Sequence, residues 1–261
     1  MKVDAAAYLG AWPFRNIDGT VRGLLAMMRE LALDQALVSP LPAFFHTDPA
    51  AANDHLLRRL RGRTGLWAAP IINPRMADAG SGIERLARRP QVRAIRLTPG
   101  FHGYSAAEAR EVVQGAAAYG LAVVIQLRMQ DERSHPPTSR VPPAPLEEVI
   151  ALAAGSPGTR LIAAAARLDE VTRHAESIRA LPNLWLDISH LDGLECLKRA
   201  SEVVGAGKLL FATCWPFFYA RSASLKMQEA DLPRREAEMV AGLNAADVFG
   251  LATQPSPAPS A

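Results

Sequence analysis

Eight short runs of Val, Ile, Leu and Ala recur along the chain, each followed by a longer segment whose apolar residues repeat at helical spacing. The runs fall near 3–7, 34–38, 66–72, 92–97, 121–127, 160–164, 184–188 and 208–213, and the helical segments near 20–32, 50–62, 77–89, 105–118, 144–154, 168–180, 191–205 and 221–247. Strict strand-then-helix alternation, eight times in about 250 residues, is the arithmetic of a closed parallel barrel rather than an open sheet. The runs are apolar throughout, as in strands buried on both faces. The expectation is an α/β protein, a single (β/α)8 TIM barrel over residues 1–253.

Local signals mark several boundaries. Ser105 followed by Ala106-Ala107-Glu108 has the spacing of a helix-capping box, and Leu181-Pro182-Asn183 separates a helix from the run Leu184–Ile188. Residues 131–145 differ in kind: five prolines exclude a helix interior, and their place after the fifth strand predicts a loop at the ligand-binding face of a barrel. Such a loop is either a lid or partner-binding segment or a surface insertion. The proline-rich end, 254–261, is expected to be a disordered tail.

Composition narrows the function classes. With 49% of residues hydrophobic and 21% charged, the chain can build a core, and no uncharged apolar stretch has the length of a membrane span. The start Met1-Lys2-Val3-Asp4 puts an acid where the apolar part of a signal peptide begins, so the expected location is cytoplasmic. Two cysteines, Cys196 and Cys214, are too few for a disulfide scaffold or a thiolate metal cluster. The net charge of +3 is spread along the chain, and the densest basic run, Arg58 to Arg63, ends a helical segment, which argues against nucleic-acid binding. No motif for a dinucleotide, a phosphate loop or a nucleophile elbow occurs, so no cofactor is expected.

In a barrel of this class chemistry sits at the C-terminal ends of the strands. The residues predicted there include Asp4, Tyr8, Trp12 and Arg15, then Arg96 and His102, Gln126 and Arg128, Asp187, Ser189 and His190, and Thr213, Cys214 and Trp215. Alternation along Val92–Leu97 places Arg96 on the same face as Ala94, inside the barrel. A buried arginine needs a counter-charge, which Asp4, Asp187 or an anionic ligand would supply. With Arg15 and Arg128 it points to a small carboxylate- or phosphate-bearing ligand, because a guanidinium fork matches planar oxyanions. Gln126, Tyr8, Trp12 and Trp215 complete the expected ligand-binding set. If the chain is an enzyme, His190 and Asp187 are the candidates for proton transfer and Cys214 for nucleophilic attack.

The chain resembles the amidohydrolase-related family, the hydrolase and decarboxylase barrels that include aminocarboxymuconate semialdehyde decarboxylase and the dicarboxylate lactonases. The resemblance runs from Asp4 to Leu251 and is carried by Val3–Arg15, by Asn183–Ser189, by Leu210–Pro216 and by Gly242–Leu251. It implies a distorted barrel of the amidohydrolase type. Metal-binding members read Asp-x-His-x-His in the first strand, where this chain has Ala6 and Tyr8. The fifth-strand histidine is replaced by Gln126, the sixth-strand histidine falls among Ala163, Ala164 and Ala165, and the eighth-strand aspartate is replaced by Cys214. Alanine and tyrosine at those points do not assemble the usual ligands, so no metal is expected.

Two main readings follow. In the first, the barrel has a degenerate metal site and is a pseudoenzyme, a non-catalytic binding, regulatory or structural subunit that forms a homo-oligomer or pairs with a related catalytic barrel. In the second, it is a metal-independent hydrolase or decarboxylase acting on a small carboxylated, lactone-like substrate. A third, less conventional arrangement is a divergent metal site built from Asp4, His102, Asp187 or His190.

Overall fold

The computed structural model of the chain describes residues 1–130 and 140–252. The eight expected strands are present: β1 (Val3–Leu9), β2 (Gln35–Pro40), β3 (Leu66–Ala68), β4 (Ala94–Leu97), β5 (Ala122–Gln126), β6 (Leu161–Ala164), β7 (Leu184–Asp187) and β8 (Leu209–Leu210). They form two parallel sheets, β1-β2-β3 and β4-β5-β6-β7-β8. Isolated bridges join the sheets into one barrel, Ala68 with Val92 and Ile71 with Arg96 at one seam, Ala7 with Trp215 at the other.

The distortions have local causes. Pro70, which has no N–H to donate, ends the regular part of β3. The register of β1 on β2 shifts between Asp4 and Ala7, where the Asp4 carboxylate takes the Ala6 N–H at 3.0 Å. Past β8, Cys214 stands at φ +53°, and Ala165 past β6 stands at φ +67°. Left-handed backbone at non-glycine residues is uncommon and concentrates where function constrains the chain.

The helices depart from the expected boundaries where the backbone demands it. The segment 221–247 is not one helix but Arg221–Glu229, Arg234–Glu238, a π-helical turn Met239–Leu243 and Asn244–Phe249, interrupted at Leu232-Pro233. The segment 168–180 divides at His174, and the helix expected from 191 begins at Cys196, after Gly193 and Glu195 with positive φ. The capping box at Ser105 and Glu108 is formed. Of the loop 131–145, residues 131–139 lie outside the described residues, as does the tail 254–261. Residues 140–145 run extended against the barrel top, where Ala144 N donates to Leu127 O at 2.8 Å.

Strand alternation sorts the core. Outward residues such as Val38, Ile95, Val123, Ile125 and Leu186 pack with the helices in one large cluster. Inward residues form a second cluster, Val3, Ala5, Leu37, Ala94, Ala122, Val124, Ile162, Ala164, Leu210 and Ala212, closed from below by Ala245, Val248 and Phe249. So many alanines inside the barrel leave volume for a few long side chains above them, and those side chains are the ones that carry charge. Among the described residues no helix is long and apolar enough to cross a membrane.

Candidate functional site

Arg96, next to last in β4, is fully buried. Its Nε donates to Ser39 Oγ at 2.8 Å, its Nη1 donates to Gln126 Oε1, and its Cζ lies 5.0 Å from the Tyr8 ring centroid. Tyr8 in turn donates its hydroxyl to the same Gln126 oxygen at 2.9 Å, and the Gln126 amide donates to Arg128 O at 2.5 Å. Among the described residues Arg96 Nη2 has no hydrogen-bond partner, and among them no carboxylate stands within 4.0 Å of the guanidinium. A fully buried cation with neutral hydrogen-bond partners and an open donor is costly to hold.

The two carboxylates that the sequence offers as counter-charges are engaged elsewhere. Asp4 Oδ1 accepts from the N–H groups of Ala6 and Thr213, each at 3.0 Å, and Oδ2 accepts from Thr213 Oγ1 at 2.5 Å. Burial raises the Asp4 pKa above its ordinary value against these hydrogen bonds, with a smaller push from Asp187. Asp187 Oδ1 accepts from Ala165 N at 3.1 Å, Ser189 N at 3.0 Å and Ser189 Oγ at 2.6 Å. The left-handed turn at Ala165 directs that N–H inward.

His190 completes a chain with these groups. Its Nδ1 lies 3.0 Å from Ser189 Oγ, and the Ser189 hydroxyl has one proton, which goes to Asp187. His190 Nδ1 is therefore the donor to Ser189. The ring packs on Phe218 at 4.8 Å and lines an outer groove of about 610 Å³ with Arg167, Arg173 and Arg199. Asp187, Ser189 and His190 thus link the barrel interior to that groove.

The mouth above Arg96 is closed by aromatic rings. Phe44 and Phe217 stand edge-on to Tyr8 at 6.0 and 6.1 Å, and both also contact Trp12, at 6.2 and 4.8 Å. Trp12 is buried, yet its Nε1 has no hydrogen-bond partner among the described residues. Arg15 is exposed on the outside of this layer, where its Nη2 donates to Phe217 O at 2.5 Å. Trp215 is placed differently from Trp12: its backbone pairs with β1 and its half-buried ring joins the outer cluster.

Two residues from the sequence-derived set have structural attachments. Arg128 makes a bidentate pair with Glu170, Nη1 to Oε2 at 2.8 Å and Nη2 to Oε1, and also donates to Ala165 O at 2.6 Å. Cys214 is buried, and burial together with Asp187 pushes its thiol pKa far up, which keeps it protonated and a poor nucleophile. Ser39 was not among the residues picked from sequence, although the alternation in Gln35–Pro40 puts it on the inner face with Leu37. Glu170 and Lys226, whose Nζ donates to Ile188 O and Ser189 O at 3.1 and 2.9 Å, are helix residues that carried no signal for the site.

A profile of the amidohydrolase family matches residues 7–251. The chain belongs to that family. Among curated proteins no significant match is found. Solved structures share the barrel: a 5-carboxyvanillate decarboxylase from Sphingomonas paucimobilis has TM-score 0.76 at 16% identity, covering 96% of this chain and 99% of its own. A 2,6-dihydroxybenzoate decarboxylase from Rhizobium has TM-score 0.70 at 15% identity, with coverages of 96% and 98%. A dihydroxybenzoic acid decarboxylase from a Polaromonas species, with bound manganese and the inhibitor 2-nitroresorcinol, has TM-score 0.71 at 15% identity, with coverages of 96% and 97%.

The residues present here do not fit such a metal. Ala6 and Ala164 offer no donor, the Tyr8 hydroxyl and the Gln126 amide are bonded to each other and to Arg96, and both Asp4 oxygens are engaged by Thr213. The Arg96 guanidinium is already a fixed cation among them. His102, considered for a divergent site, is tied to Thr98 Oγ1 at 3.2 Å and Ala43 O at 3.1 Å. Among the described residues no group of three or more His, Cys, Asp or Glu side chains is placed to hold a metal ion.

Proposed function

We propose that the barrel takes a small carboxylated molecule at its centre and decarboxylates it without a metal. The observation that carries this reading is Arg96, fully buried, with an open Nη2 donor and no carboxylate within 4.0 Å among the described residues. An anionic oxygen is the partner that such a group lacks, and binding one recovers the cost of holding the charge. The solved structures of similar fold named as decarboxylases of carboxylated phenols support the substrate class.

The chemistry asked of the chain is modest. The bond between the substrate carbon and its carboxyl group breaks, carbon dioxide leaves, and the electron pair stays on the substrate. Arg96 Nη2 faces a substrate oxygen on which that charge collects, so its attraction is stronger in the transition state than before it. Starting from the imidazolium form of His190, the Nδ1 proton passes to Ser189 as the Ser189 proton passes to Asp187 and on to the substrate carbon, and the ring, now neutral, takes up a proton again from the outer groove. The apolar rings over the mouth suit this better than hydrolysis, since they exclude the water that hydrolysis consumes.

The aromatic layer also favours a second reading, a regulatory or binding barrel that holds the acid without turnover, alone or paired with a related catalytic barrel. One experiment separates the two. The chelator-treated chain is incubated in deuterated buffer with ring-hydroxylated benzoates while carbon dioxide release, deuterium incorporation and the thermal midpoint are followed. Decarboxylation requires release and incorporation unaffected by chelator and abolished in Arg96→Met. A raised midpoint without release establishes the binding reading, and no effect of any acid on the midpoint refutes both.

A further inference from the structure

Arg96 Nη2 is not the sole unpartnered donor at the mouth: Trp12 Nε1 is a second, on a side chain only 4% exposed. The indole is ringed by Phe45 at 4.7 Å, Phe217 at 4.8 Å, Phe101 at 6.0 Å and Phe44 at 6.2 Å. A buried water needs two to four polar partners, and these neighbours supply none. Phe44 and Phe217 touch both Trp12 and Tyr8, and Tyr8 lies against Arg96. The two open donors are therefore joined by a chain of ring contacts, from Trp12 to Phe44 and Phe217, from those rings to Tyr8, and from Tyr8 to Arg96.

We infer that Trp12 is a specificity-determining residue, whose indole N–H takes a hydrogen-bond acceptor at the end of the substrate remote from the oxygen held by Arg96. The inference rests on the acid-binding reading of the barrel centre and narrows it: the preferred molecule is a flat acid with a second acceptor oxygen, and acids that are apolar at the far end are discriminated against. A neutral donor buried among rings rejects such an analogue because the N–H stays unpaired in the complex.

The test uses para-acetylbenzoate and its near-isostere para-isopropylbenzoate, which differ in the acceptor oxygen, titrated calorimetrically into the full chain and into Trp12→Phe. Phenylalanine keeps an aromatic ring and deletes the donor. The wild-type chain is expected to bind the acetyl compound about tenfold more tightly, and Trp12→Phe to bind both alike, at the wild-type affinity for the isopropyl compound. A preference that persists in Trp12→Phe overturns the inference. Equal binding of the two acids to the wild-type chain overturns this inference alone, whereas binding of neither removes the acid site itself.

Discussion

Replacing Arg96 by methionine should leave the unliganded protein at least as stable as it is now. The substitution removes two charge-assisted hydrogen bonds, to Ser39 Oγ and Gln126 Oε1, worth together about 4 kcal/mol. It also removes a buried, unpaired ion, whose penalty after relaxation is several kcal/mol, about 5. Ser39 still donates to Ala69 O at 2.7 Å and Gln126 still accepts from Tyr8, so neither is orphaned. The balance favours methionine by about 1 kcal/mol, a rise of roughly 2–4 °C in the thermal midpoint for a chain of this size. Urea unfolding followed by tryptophan fluorescence reads the difference, and the same variant should lose its response to carboxylates. A loss of about 3 kcal/mol or more would show that Arg96 is paired within the fold, and the argument for an anionic ligand would fail with it.

Other substitutions separate structural from functional arginines and acids. Arg128→Met should cost about 3 kcal/mol, because it strands the mostly buried Glu170, and Glu170→Gln in the same chain should recover part of that loss in a double-mutant cycle. Burial raises the Asp4 pKa above its ordinary 3.8, so the folded chain keeps a proton that the unfolded chain releases. The resulting stability is complete below about pH 4 and is lost as pH climbs through the raised value, and Asp4→Asn should flatten that part of the urea-unfolding profile. Cys214, buried and held protonated, should resist iodoacetamide in the native chain at neutral pH and react once urea is added, with mass spectrometry as the readout. Rapid native alkylation would return Cys214 to consideration as a nucleophile.

The barrel was legible in the sequence because its causes are local and repeated. Eight apolar runs, each too short and too apolar for a surface helix, and the amphipathic segments between them leave few ways to bury so much surface. Alternation within Val92–Leu97 was enough to place Arg96 inside, and the departures at Ala6, Tyr8, Gln126 and Cys214 already told against a metal. What spacing did not reveal was which charges meet. Asp4, Asp187 and an external anion were equal candidates for Arg96 until the structure tied Asp4 to Thr213 and Asp187 to Ser189 and Ala165. Arg128 read as a ligand-binding twin of Arg96, but Glu170, from a helix 42 positions away, holds it. Strand periodicity fixes the face on which a side chain lies, whereas its partner depends on side chains from distant strands and helices converging at one depth in the barrel. The open donors of Arg96 and Trp12 belong to that second kind of fact, since an unmade hydrogen bond is visible only once every neighbour that could have made it has been placed.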